Sequence, residues 1–253
     1  MQWALEFYEK QNLWSGVYEE EVAASHREKV LLIEELAGPG TKRILELGAG
    51  GGQNAAACAD VGHTIVAVEL VPRLAEHAQM LATAQPQRKM TVINANFFDI
   101  SLEGRFDLIC YWDGFGIGTD ADQRRLLLRM ATWLEPNGSV LMDIGTPWYA
   151  ASVDGRGWAV GEGERRYSFD ADGCRWEDTW WPKGHPERSV MQTTRCYSPA
   201  DLCMLLEGTG LQLQRVKPGG TVDWEARKWL PSVPLKQAMS YVAQLGLAEI
   251  ATG

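Results

Sequence analysis

The sequence predicts an α/β protein built on a doubly wound, largely parallel sheet, and three features lead there. Short apolar runs alternate with helix-length segments from Arg43 to Ile144, the order that βαβ crossovers require. The first of these units, Arg43 to Glu69, reads strand, glycine turn, helix, strand, acid. After Gly145 the period shifts to the two-residue alternation of antiparallel strands.

Taken in order, residues 1–40 read as helices. Trp3, Leu5, Phe7, Tyr8, Trp14, Val17 and Tyr18 make an aromatic-rich opening. Val22, Val30, Leu31, Ile33 and Leu36 then make a helical stripe that stops at Gly38-Pro39-Gly40. The strand Arg43–Leu47 enters Gly48-Ala49-Gly50-Gly51-Gly52, whose glycines permit positive φ and close backbone approach. A helix starting near Gln53-Asn54 aims unpaired N–H groups at whatever fills that loop. The next strand, Thr64–Val68, ends on Glu69, where a carboxylate can accept from both hydroxyls of a ribose. The unit therefore predicts a nucleoside-bearing ligand.

Pro72–Ala84 follows as a helix with proline in its first turn. Met90–Ala95 is the third strand, leading into Asn96-Phe97-Phe98-Asp99, and Phe106–Trp112 is the fourth. The fourth runs into Asp113-Gly114-Phe115-Gly116-Ile117-Gly118, at the strand end where open α/β sheets bind ligands. Phe115 is the bulky aromatic this loop presents, and Asp113 its polar group. Thr119-x-x-Asp122 opens a fourth helix with a capping box, and Pro136-Asn137-Gly138 turns the chain into strand five, Val140–Ile144.

Residues 146–197 read as an antiparallel insertion over the mouth of the site. It carries Trp158, Tyr167, Phe169, Trp176, Trp180 and Trp181, while Arg165-Arg166, Glu177-Asp178 and Glu187-Arg188 read as solvated surface. Ser198-Pro199-Ala200-Asp201 starts another helix. Leu211–Val216 and Ala238–Leu245 supply the last two strands, the latter inserted antiparallel, with a loop from Pro218 to Pro234 between them.

A length of 253 residues suits one domain with a lid and an insertion. The net charge of −9 argues against a nucleic-acid partner. No apolar run is long enough for a bilayer. Five cysteines without CxxC spacing fit reduced thiols in the cytoplasm, and four scattered histidines offer no metal-ligand spacing, so no metal is expected.

The run Glu46-x-Gly48-x-Gly50-x-Gly52 resembles motif I of the class I S-adenosylmethionine-dependent methyltransferases. A dinucleotide fingerprint would instead need glycine where Gln53 stands. The resemblance covers residues 40–145. It implies a Rossmann-like seven-stranded sheet and S-adenosyl-L-methionine as cofactor, released as S-adenosyl-L-homocysteine. The cofactor residues it implies are Glu46, Gly48, Ala49, Gly50, Gln53, Asn54, Glu69, Leu70, Asn96, Phe97 and Trp112. In that family an acid often takes the adenine amino group where this chain has Asn96. The amide oxygen of Asn96 can also accept, Asp99 is the competing reader, and Phe97 would pack on the base. Residues 1–40 would fold over the cofactor as a lid, with Tyr8, Tyr18, Asp113 and Phe115 as the catalytic set.

Methyl transfer from a sulfonium is an in-line displacement, so positioning matters most and is worth roughly 7–11 kcal/mol. A hydroxyl acceptor needs a definite base, commonly histidine, and none of the four falls at a strand end. That favours nitrogen. The resulting expectation is methylation of a small-molecule amine in antibiotic or secondary-metabolite biosynthesis, with a homo-oligomer as an open assembly. An O-methyltransferase of a phenol or sugar hydroxyl is the alternative, and a non-catalytic S-adenosylmethionine-binding scaffold is another.

Overall fold

The computed structural model describes residues 2–248. Its N-terminal part forms α1 (Gln2–Ser15), a 3-10 turn (Val17–Glu19) and α2 (Ala24–Ala37). Then come β1 (Arg43–Leu47), α3 (Gln53–Asp60), β2 (Thr64–Glu69), α4 (Pro72–Ala84), β3 (Met90–Asn94), β4 (Phe106–Tyr111), α5 (Asp120–Trp133) and β5 (Leu134–Gly145). A short helix α6 (Pro147–Ser152) precedes β6 (Gly157–Val160), β7 (Gly163–Asp170), β8 (Arg175–Pro182) and β9 (Val190–Arg195). The chain continues as α7 (Pro199–Leu206), β10 (Leu211–Pro218), β11 (Thr221–Asp223), β12 (Lys228–Leu230) and β13 (Ser240–Leu247).

Seven strands form the main sheet in the order β10-β13-β5-β4-β1-β2-β3. β1 pairs in parallel with β2 and β4, and β2 with β3, while β13 lies antiparallel to β10. The central strands carry near-continuous apolar runs, as strands covered on both faces must; Leu45, Leu47, Leu108 and Ile109 are fully buried. Half of α3 is alanine, and it packs against α2, α4 and β2. Its small side chains let these neighbours approach closely.

Each compact unit has its own character. The first comprises Met1–Trp112 and Thr132–Leu141, the second Asp113–Ala131 and Met142–Gly253. In the second, β6-β7-β8-β9 form a four-stranded antiparallel sheet, as the alternation predicted. Three local expectations change. β5 begins at Leu134 because the backbone stays extended through Pro136-Asn137-Gly138. Thr146 and Pro147 start the unforeseen helix α6, proline being well suited to a first helical turn. The segment 218–234 is not an open loop: β11 and β12 pair in it as a hairpin, and Asp223 Oδ1 accepts from the N–H groups of Glu225 and Ala226 at its tip.

Helix starts follow their capping residues. Ser198 Oγ accepts from Asp201 N–H at 3.2 Å, and Asp201 Oδ2 accepts from Ser198 N–H at 2.9 Å. Thr119 and Asp122 make the same reciprocal pair at α5.

Candidate active site

The first unit assembles the glycine loop from its backbone outward. Gly48, Gly50 and Gly52 adopt φ of 62°, 55° and 83°, the left-handed region that favours glycine. This winding turns the N–H of Gly50 toward β2, where Glu69 Oε2 accepts it at 2.7 Å. Glu69 Oε1 accepts from Val71 N–H at 2.8 Å. The carboxylate is thus fixed by the loop on one side and by its own chain on the other. Burial pushes it above the usual carboxylate range, and the backbone N–H groups of Val71, Gly50 and Leu70 pull back down. An ionised carboxyl has about four lone-pair sites, so acceptor capacity remains.

Glu46 lies deeper in β1. It is 4% exposed, and burial pushes its carboxyl up to about 8, opposed by a hydrogen bond from Asn54 and the charge of Lys29. The Oδ1 of Asn54 is buried without a donor. Lys29 Nζ stands 4.4 Å from the ring centroid of Trp112, so α2 delivers a cation to the end of β4.

The aromatic opening covers this loop. Tyr18 lies over Gly50, and its carbonyl oxygen would be 1.6 Å from a Cβ built on Gly51. Tyr18 is held by α1: its N–H donates to Asn12 Oδ1 at 3.1 Å and its hydroxyl to Gln11 Oε1 at 3.3 Å. Tyr8 meets the Tyr18 ring edge-on at 6.4 Å. Trp14 is buried in the core. His77 on α4 holds the Gly51 carbonyl at 2.8 Å. Of the other histidines, His26 accepts from Ala23 N–H, His63 from Lys42 N–H, and His185 pairs with Glu187.

Two expected cofactor contacts are engaged elsewhere. Gln53 spends its amide on the Glu20 carbonyl at 3.1 Å, tying α3 to the N-terminal segment. Asn96 closes a local turn, its Oδ1 accepting Phe98 N–H at 3.0 Å and its amide donating to Asp99 at 2.7 Å. An asparagine so placed satisfies the nearest backbone donor first. Phe97 sits edge-on to Tyr111 at 5.5 Å. The Tyr111 ring also lies 3.3 Å from where a Gly48 Cβ would stand. Leu70 is half-buried, its carbonyl bound by Asn94. Ala49 is buried, its N–H on the Val68 carbonyl.

The second unit contains the other two expected residues. Asp113 is exposed and takes φ of 54°, a left-handed backbone that few residues with a side chain adopt and that aspartate tolerates better than most. Phe115 is 1% exposed and packs on Tyr197 at 5.5 Å. The glycine after it serves the fold: a Cβ on Gly116 would meet the Arg195 carbonyl at 2.3 Å, and Arg195 N–H donates to the Gly116 carbonyl.

Arg165 and Asp178 also depart from expectation. They are not solvated: Arg165 Nε donates to Asp178 Oδ1 at 3.1 Å and Nη2 to Oδ2 at 2.5 Å, with Asp178 only 5% exposed. Trp180 Nε1 adds a third hydrogen bond to the same carboxylate at 2.8 Å. No group of three or more potential metal ligands gathers among the described residues.

A profile of the family described as "Methyltransferase domain" matches residues 18–216. The chain belongs to that family. No curated protein sequence matches this methyltransferase. Among solved structures it resembles the CcbJ methyltransferase from Streptomyces caelestis, with TM-score 0.72 and 20% identity over 92% of this chain and 96% of that one. The glycopeptide N-methyltransferase MtfA gives 0.61 and 17% over 90% and 93%. The mitomycin 7-O-methyltransferase MmcR gives 0.57 and 18% over 88% and 53%. These likenesses are of fold, and they span nitrogen and oxygen methylation. MtfA has been solved with sinefungin, S-adenosyl-L-homocysteine and S-adenosyl-L-methionine. Family and fold together support S-adenosyl-L-methionine as the cofactor of this methyltransferase.

The residues present fit that group. Glu69 offers spare acceptor capacity beside a loop of backbone N–H groups, and Asn54 offers a buried acceptor without a donor. Tyr111, Lys29, Gln11 and Asn12 were missed when the chain was read without its fold. A tyrosine at the carboxyl end of a sheet strand, and polar residues inside an aromatic helix, were the available signals.

Proposed function

We propose that this chain methylates the amine nitrogen of a small molecule, in the manner of antibiotic or secondary-metabolite tailoring. The observation that carries the reading is the Glu69 carboxylate bonded to Gly50 N–H, which locks the glycine loop against an acid suited to a ribose. When bound, S-adenosyl-L-methionine supplies an electrophilic methyl group on a sulfonium. Glu69 would hold the ribose hydroxyls, Gly48–Gly52 would take the methionine half, and Asn54 would accept from its ammonium. Phe97, which meets Tyr111, would pack on the adenine, and Trp112, with Lys29 over its ring, would line the site. Residues 1–40 act as the lid, with Tyr8 and Tyr18 closing over the loop and excluding water. Residues 146–197 are the insertion that shapes the acceptor side. Asp113 orients the acceptor nitrogen and stabilises the positive charge that grows on it during attack.

Nitrogen is favoured because a neutral amine attacks without first losing a proton, whereas a hydroxyl needs a base to make it a good nucleophile. All four histidines are engaged in the ways described above, while a carboxylate stands at the end of β4. The five cysteines, all free thiols, suit the cytoplasm. The second reading is O-methylation, which the likeness to MmcR keeps in view. Transfer of tritiated methyl to a panel of amines, phenols and sugars, with mass location of the product, tests the choice. Label on amines is the expected result; label confined to hydroxyls overturns it.

A further inference from the structure

We infer that Arg73 on α4 is a positioning residue for the cofactor: its ion pair with Glu19 straps the connection between α1 and α2 across the glycine loop, and so sets how fast S-adenosyl-L-methionine enters and leaves. This rests on the reading of residues 1–40 as the lid.

The strap is short and held on both sides. Gly16, at φ of 71°, turns the chain out of α1, and the turn Val17–Glu19 then packs on α4. On the near side α1 holds it through Asn12 and Gln11. On the far side two other helices hold it. Arg73 Nε donates to Glu19 Oε1 at 2.5 Å and Nη2 to Oε2 at 2.8 Å, a two-pronged pair. Gln53, opening α3, donates to the next carbonyl, that of Glu20. Between these anchors the Tyr18 ring covers Gly50 and its carbonyl stands against Gly51. The Gly51 carbonyl is in turn held by His77. Residues 73 and 77 lie four apart and share a helix face, so one face of α4 grips both the loop and the strap.

The two far anchors differ in kind. Gln53 is 5% exposed and belongs to the packed fold. The Arg73 side chain is 57% exposed and that of Glu19 28%, so their pair stands at the water boundary and opens without unmaking the core. Such a pair is weak, which suits a latch that must release for each cofactor exchanged. The pair joins strap to helix and spends no hydrogen bond on the glycine loop. It therefore acts on the opening of the lid, a step common to entry and exit. Loosening it accelerates both by the same factor and leaves their ratio, the affinity, in place.

The test follows association of S-adenosyl-L-homocysteine with the full chain by stopped-flow tryptophan fluorescence. Calorimetry supplies Kd, and the product of the two gives the dissociation rate. Arg73→Ala should raise both rates about three- to fivefold, the weight of a two-pronged surface pair, and change Kd by less than about twofold. Arg73→Lys keeps the charge without the fork and should fall between. Glu19→Gln should match Arg73→Ala, and the double change should add nothing, because each removes the same pair. Higher ionic strength should speed exchange in the unaltered protein more than in Arg73→Ala. Rates unmoved by Arg73→Ala overturn the inference, as does a rise in dissociation alone with Kd weakening in step. Tyr18→Ala separates this failure from that of the lid, since it uncovers Gly50 and leaves the pair. Exchange quickened by Tyr18→Ala but not by Arg73→Ala keeps the lid and sinks the latch; exchange quickened by neither sinks both.

Discussion

Replacing Glu46 by glutamine should make the folded protein less sensitive to alkali. The carboxyl stands one residue before the end of β1, 4% exposed, and burial lifts it from an ordinary value of 4.5 to about 8. A carboxyl raised in the folded state holds its proton more tightly there than in the unfolded chain. The stability it contributes is therefore complete below pH 4.5 and is lost as pH rises through 8. At 1.36 kcal/mol per unit the full linkage is roughly 5 kcal/mol, of which about 3–4 kcal/mol disappears between pH 5 and pH 8. Glutamine has nearly the shape of the protonated acid and cannot ionise. At pH 5 the two proteins should unfold at similar urea concentrations, and by pH 8 Glu46→Gln should be the more stable by about 3 kcal/mol. Urea unfolding of the ligand-free protein at several pH values, followed by tryptophan fluorescence, measures the difference directly. A stability gap that stays constant over this range would mean that Glu46 is ionised in the fold, with Lys29 and Asn54 outweighing its burial.

Three further outcomes are expected. Gly51→Ala places a methyl group 1.6 Å from the Tyr18 carbonyl oxygen, a backbone atom that cannot swing aside; the turn Val17–Glu19 must move, costing about 1–3 kcal/mol, and an unaltered melting temperature would contradict the packing described. Glu69→Ala should weaken S-adenosyl-L-homocysteine by about 1–3 kcal/mol in calorimetry, and full retention of affinity would place the ribose elsewhere. Ser198→Ala removes the cap of α7 and should lower stability by about 1 kcal/mol in chemical denaturation, with no loss indicating a frayed first turn.

Much of the fold was legible because its determinants are neighbours in the chain. The glycines at 48–52, the alanine helix after them and the acid ending β2 are local in cause: backbone freedom, small side chains and strand length. Ser198-Pro199-Ala200-Asp201 announced α7 for the same reason. The alternation after Gly145 announced an antiparallel sheet without saying which residues would face each other. That required the register of β7 on β8, which places Tyr167 against Asp178 and Arg165 against Trp180. From the sequence both charges looked solvated; the pairing buries them together, because a charge leaves water only where a partner awaits it.

The order of elements from β1 to β5, the glycine-and-acid signature and the family these imply could be read from the chain alone, since each depends on spacing along it. Tertiary structure decided what each side chain spends its hydrogen bonds on. It put Tyr18 over the loop, bound Gln53 to Glu20 and Asn96 into its own turn, and sealed Phe115 under Tyr197. The physical reason is that a side chain bonds with whatever the fold brings within about 3 Å, and that distance is a property of three dimensions rather than of sequence separation.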